Sequence, residues 1–286
     1  MLYLSSACVK HEKIKDSVEE LAANGFKDIE LSGGTKYYPG YEQDLLKLQE
    51  RYGLNYLVHN YFPPPQEDFI LNLASCNEET YQKSLRHCRR AIALSGKLGA
   101  RKFGLHAGFF IEVKIEEIGK NISSARLADQ EKAMRRFCKA FNSLKETSQG
   151  VELYLENNVM SLTNMRNFQG QRPFMLMDHE GYLDLKDRIE FKLLLDVAHL
   201  NVSARSLGLD FIGQLNKMMP LSDYVHLSDN DGLHDQSRCF DADSAILKAL
   251  KKCDLHGKTI TLETYGSIAN IKLSQSMIRK TLGIDE

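Results

Sequence analysis

Short runs of β-forming apolar residues alternate strictly with longer stretches of helical spacing, and this alternation constrains the fold more than any other feature of the chain. LYLSS comes first; KDIELS, NYLVH, RKFGLH, VELYLE, FKLLLD, DYVHLS and TITLE follow in order. In HEKIKDSVEELAANGF, Ile14, Val18, Leu21 and Ala22 share one helical face, and Asn24-Gly25 supplies the stop. YEQDLLKLQERYG ends at Gly53, NEETYQKSLRHCRRAIALSGKLG runs from a capping Asn77 to Gly99, and ADQEKAMRRFCKAFNSLKET is a further helical stretch. Strands that alternate with helices predict a parallel sheet, and eight such units in 286 residues match one (β/α)8 TIM barrel, an α/β fold filling residues 1–286. A doubly wound open sheet is the competing fold, but no GxGxxG follows the first strand. Nothing reads as a linker; the one proline cluster, Tyr61 to Pro65 in YFPPP, predicts a rigid loop over a strand end.

Charge enters where partners are concerned. Lys and Arg number 37 against 38 acids, a formal net charge of -1, whereas a chain that grips a nucleic-acid backbone usually carries a basic excess. Nucleic acid is therefore disfavoured as a partner. No window approaches the roughly 18 apolar residues of a membrane span. MLYLSSACVK lacks a basic leader, and its apolar run is too short for a signal peptide. Cysteines 8, 76, 88, 138, 239 and 253 are scattered without a CxxC pair, which predicts reduced thiols, a cytoplasmic location and no zinc-ribbon site.

The strand ends carry the chemistry. NYLVH finishes at His59, RKFGLH at His106, VELYLE at Glu156, FKLLLD at Asp196 and TITLE at Glu263, with His226 in DYVHLS. In a parallel barrel these ends converge at one mouth, where this fold builds its active sites. A single histidine or acid there is readily a hydrogen-bonding or helix-capping group. Three of each at one end predict a shared divalent-metal site, because gathered carboxylates repel one another unless a cation holds them. The mixed ligands suit Mn, Co, Zn or Mg without selecting among them. His199, three residues after Asp196, could reach the same mouth. Asp229, Asp231, His234 and Asp235 crowd the loop after the seventh strand, where DNDG is ordinary turn chemistry.

With LVHN, GLHAG, LYLEN, LLLDVAH, VHLSDNDG and TLE in place, the chain resembles the xylose isomerase-like TIM-barrel superfamily, which contains sugar isomerases and epimerases and endonuclease IV. In the epimerase branch the resemblance implies a metal held by Glu156, Asp196, His226 and Glu263. It also implies proton transfer by Glu156 and Glu263, and a sugar contact by His199. In the endonuclease branch it implies a second metal at His59 and His106 with Glu156. A third zinc there would need an Asp-x-His after the seventh strand. Asp235-Gln236-Ser237 keeps the aspartate and loses the histidine, and the usual Gly-Glu-Gly is missing. Asp235 is then expected beside His199 as a substrate contact.

These readings converge on a metal-dependent sugar or sugar-phosphate isomerase or epimerase with one or two ions and a small carbohydrate substrate. Glu156 and Glu263 would remove and return a proton beside a metal-held oxygen. The alternatives are an endonuclease IV-like hydrolase of abasic DNA and a dehydratase or lyase acting on a polyol or cyclic acid. Tyr61 and Phe62 could pack on a sugar or anchor their loop, and Arg205 and Arg238 could meet a phosphate. Phe109 to Asp129 and Met160 to Leu183 are expected to shape the mouth.

Overall fold

The computed structural model describes residues 1–117, 122–123 and 126–283. Eight strands close into a barrel in sequence order: β1 (Leu2–Ser5), β2 (Asp28–Leu31), β3 (Asn55–His59), β4 (Lys102–His106), β5 (Glu152–Glu156), β6 (Lys192–Asp196), β7 (Ser222–Leu227) and β8 (Thr259–Leu262). Every neighbouring pair is parallel, including β1 with β8. The chain is therefore the (β/α)8 barrel that its alternation predicts, and each strand lies within about a residue of its expected bounds.

Helices α1 (Ile14–Ala23), α2 (Tyr41–Tyr52), α3 (Glu78–Lys97), α4 (Gln130–Glu146) and α5 (Leu162–Asn167) form a first group along the chain. In the second are α6 (His179–Lys186), α7 (Val197–Ser206), α8 (Phe211–Met218), α9 (Ala245–Leu250) and α10 (Ile268–Leu282). Their ends follow local chemistry. Asn77 accepts the Thr80 N–H to open α3, and left-handed Gly53 closes α2. No described helix is long and apolar enough to cross a membrane, and the six cysteines are unpaired thiols.

Alternation along each strand divides the molecule into two interiors. Outward residues such as Ile29, Val58, Phe103, Leu155, Leu195 and Val225 pack into the layer under the helices. Inward ones fill the barrel, where Tyr3, Leu57, Tyr154, Leu194 and Tyr224 form a plug. That plug is a floor. Above it stand the last inward side chains of the strands.

The two long segments expected to shape the mouth meet through Ile111, Met160, Phe168, Phe174 and Met177, a separate apolar cluster, with Phe109 bridging Phe174. Residues 118–121 and 124–125 of the first segment lie outside the described ones.

Candidate metal centre at the barrel mouth

Glu156 is the hub of the mouth. Its carboxylate is fully buried at the end of β5. His59 Nε2 lies 2.7 Å and His106 Nε2 3.3 Å from Oε2. His226 Nδ1 and His199 Nδ1 each lie 3.6 Å from Oε1. His226 Nδ1 is also 3.4 Å from Glu263 Oε2. Asp196, His226 and Glu263 form one set of donor atoms within 4.8 Å of one another; His59, His106 and Glu156 form a second, Glu156, Asp196 and His199 a third, and Glu30, His59 and His226 a fourth. The barrel thus brings together all six strand-end residues singled out in the sequence, with His199 beside them.

Local structure fixes several of these groups. Gly104 leaves room for His59: a Cβ there would come within 2.9 Å of the imidazole and 2.6 Å of Leu194. Asp196 closes β6 and caps α7, since its Oδ1 accepts the His199 N–H at 2.7 Å. This cap holds DxxH in one turn, so His199 turns back over the mouth. Its Nδ1 lies 3.0 Å from the Asn157 carbonyl and its Nε2 3.4 Å from Asp235 Oδ2.

Electrostatics follow from packing acids and imidazoles together in a water-poor space. Burial favours the neutral form of Glu156, but His106 and His59 overcome it and hold the carboxyl well below its usual range. Burial likewise opposes charge on His226, yet Glu30, Glu156 and Glu263 raise it well above a normal imidazole. His199 is raised in the same way against burial, by Asp196 and Asp235. Burial pushes Asp196 up to about 6. It pushes His106 down to about 4, while His59, in closer contact with Glu156, is raised despite its burial. Charge balance here rests on imidazolium protons, which a cation could replace.

Glu156 Oε1, His226 Nδ1 and His106 Nδ1 are buried without a hydrogen-bond partner among the described residues. Left unmet, each such atom costs on the order of 1–3 kcal/mol. A carboxylate oxygen and an imidazole nitrogen that face each other beyond hydrogen-bond reach suit a divalent ion, so these residues fit one.

A cavity of about 640 Å³ opens beside the cluster, lined by His59, His106, Glu263, Asn60 and Tyr265 together with residues of the loops after β1 and β2. Tyr61 also lines it, but its hydroxyl accepts the Leu71 N–H at 2.9 Å. Phe62 is fully buried edge-on against Tyr41, so it anchors its loop. Arg205 and Arg238 are not among the lining residues. Arg205 donates to Asn201, and Arg238 lies 3.9 Å from Asp231.

The loop after β7 carries the residues weighed in the sequence for a third metal. Asp235 reaches His199, but none of the metal-competent groups of three or more found among the described residues includes it. His234 is held by Asp231 at 2.9 Å. Ser237 has a left-handed backbone (φ 45°), and its carbonyl accepts the Tyr265 N–H at 2.7 Å, which ties this loop to the end of β8.

One buried acid escaped the sequence reading. Glu30 on β2 is fully enclosed in the barrel and lies 3.1 Å from His226 Nε2. The signal was a charge between Ile29 and Leu31 in a strand whose two faces are both covered.

A closed parallel barrel with acids and imidazoles at its carboxyl mouth defines a class of metal-competent TIM barrels. Within it, the chain belongs to the xylose isomerase-like TIM barrel family, whose pattern matches residues 18–281. Among solved structures it is similar to a D-tagatose 3-epimerase-like protein, at 21% identity and a TM-score of 0.72 over 99% of this chain and 97% of that one. A D-psicose 3-epimerase crystallised in the presence of D-fructose is similar at 14% identity and a TM-score of 0.65, covering 99% of each chain. Endonuclease IV from Thermus thermophilus is similar at 15% identity and a TM-score of 0.61, again over 99% of each. At such identities the likeness establishes the fold. No curated protein sequence matches significantly.

Proposed function

We propose that the protein is a divalent-metal-dependent isomerase or epimerase of a small sugar, with Glu156 and Glu263 as its proton-transfer pair. One observation carries this reading: the two carboxylates approach the same His226 Nδ1, at 3.6 and 3.4 Å, beside an open cavity. An ion held by Glu156, Asp196, His226 and Glu263 would polarise a substrate carbonyl and acidify the neighbouring C–H.

The chain's own groups do the rest. Glu156 is kept in its basic form by His106 and His59 against the effect of burial. Glu263 is also lowered, by His226, against its burial. Carboxylates kept deprotonated are able to accept a proton from carbon, and a second carboxyl placed across the substrate can return one to the other face. Reversible inversion at a single carbon needs such a pair. His199 and Asp235, poised against each other at the rim, are assigned to substrate hydroxyls.

The cavity's size and lining favour a sugar. About 640 Å³ lies within the usual range for small-molecule sites. Lys10 is the one lysine or arginine among its lining residues, which favours an uncharged sugar over a sugar phosphate. The convergence of His59 and His106 on Glu156 Oε2 supports a second ion and keeps hydrolysis as the second reading. Incubation of metal-loaded protein with a ketose panel and, separately, with an abasic-site duplex tests the choice. Interconversion of a ketose supports the proposal; strand cleavage without interconversion rejects it.

A further inference from the structure

The proposed metal site draws on the ends of β5 to β8, but a carboxylate from β2 reaches across the barrel to its histidine, His226. Glu30 Oε2 accepts from the Tyr224 hydroxyl and from Thr261 Oγ1 at 2.9 Å, and lies 3.1 Å from His226 Nε2. Tyr224 and His226 are inward residues of β7, and Thr261 is one of β8. Glu30 and His226 are both fully enclosed. The neighbouring inward positions carry Leu57 and Leu194. An acid among them bears a desolvation cost that an apolar side chain of similar size would avoid.

We infer that Glu30 is a positioning residue, which holds His226 Nε2 so that Nδ1 is the atom offered to the metal. This rests on the proposed metal site. A neutral imidazole has one N–H, and a hydrogen bond at one nitrogen decides which nitrogen keeps the free lone pair. Glu30, already an acceptor for Tyr224 and Thr261, takes that N–H from Nε2. The lone pair is then left on Nδ1, the atom that has no hydrogen-bond partner among the described residues and faces Glu156 Oε1 and Glu263 Oε2. The same contact prevents the ring from turning over, which would carry Nδ1 away from those carboxylates. Carboxylates that orient a metal-bound histidine in this way typically contribute 10–100-fold to metal affinity.

Zinc affinity, measured by competition with a chromophoric chelator, and the ¹⁵N spectrum of the zinc-loaded wild-type protein test this together. Glu30→Leu is expected to bind zinc about 10–100-fold more weakly at unchanged stoichiometry. Glu30→Gln, which keeps an acceptor but loses the charge, is expected to fall between that variant and wild type. The wild-type spectrum is expected to place the His226 hydrogen on Nε2. Should Glu30→Leu fail to fold, Glu30→Gln and the spectrum decide. A hydrogen on Nδ1, or wild-type affinity in every folded variant, overturns the inference and leaves the metal site standing. Loss of a whole zinc equivalent makes Glu30 a ligand and overturns it too. A wild-type protein that takes up no zinc overturns both the inference and the metal site.

Discussion

Glu156 Oε1 and His226 Nδ1 face each other 3.6 Å apart at the end of the barrel, both buried and neither hydrogen-bonded among the described residues. A buried carboxylate oxygen and an imidazole nitrogen in this state are a donor pair that suits a divalent cation. Substitutions around that pair, and removal of the ion, have measurable consequences.

Glu156→Gln keeps the volume of the side chain but removes its charge and its basicity. Turnover is expected to fall at least about a hundredfold, the lower end of what a general base contributes. Metal affinity should fall with it, while circular dichroism and the melting temperature of the metal-free protein change little. Near-wild-type turnover would remove Glu156 from proton transfer.

Glu263→Gln separates the two halves of an inversion. With one carboxylate left, a substrate proton can still be taken and returned on a single face. Epimer formation is expected to fall by about a hundredfold or more, with residual isotope wash-out at the reacting carbon in one of the two Gln variants. Equal epimer yield from wild type and Glu263→Gln, followed by NMR, would contradict the pairing.

Removal of the metal should loosen the barrel mouth. An ion present at about a thousand times its dissociation constant contributes roughly 4 kcal/mol to stability. For a chain of this size that corresponds to a melting temperature lower by on the order of 8 °C after chelation. Calorimetry with and without chelator checks this, and zinc or manganese added back should restore the difference.

A separate acid sensitivity lies on α3, outside the proposed metal cluster. His87 on α3 is buried edge-on against Phe69, its Nε2 has no partner among the described residues, and burial lowers it from 6.5 to about 4. The folded state keeps His87 neutral, so between pH 6.5 and 4 the unfolded chain binds more protons. Stability from this group is therefore complete above pH 6.5 and declines below it, by about 2 kcal/mol at pH 5. Urea unfolding at pH 7 and pH 5 should show a smaller pH difference in His87→Phe than in wild type.

Most of the fold was legible because the strand interiors are buried on both faces and therefore read as apolar runs, while from the third strand to the eighth a histidine or acid at the mouth ends or interrupts the run. NYLVH, VELYLE and FKLLLD end in the structure where their apolar runs stop. The same rule hid Glu30, which breaks KDIELS from within and reads locally as the polar face of a half-exposed strand. Only barrel closure reveals that there is no solvent on that side. Phe62 was open for a different reason, since loop aromatics beside a site and loop aromatics beneath it have the same sequence. Ser237 bonds to Tyr265, a contact 28 residues distant in the chain that no local pattern encodes.

Solvent exchange tests the central claim most directly. Metal-loaded protein incubated in D₂O with a panel of ketoses is predicted to place deuterium, read by NMR, at the carbon beside the carbonyl of at least one of them, and chelation should abolish the exchange. Absence of exchange across the whole panel, together with cleavage of an abasic duplex by the same preparation, would contradict the account and assign the centre to phosphodiester hydrolysis.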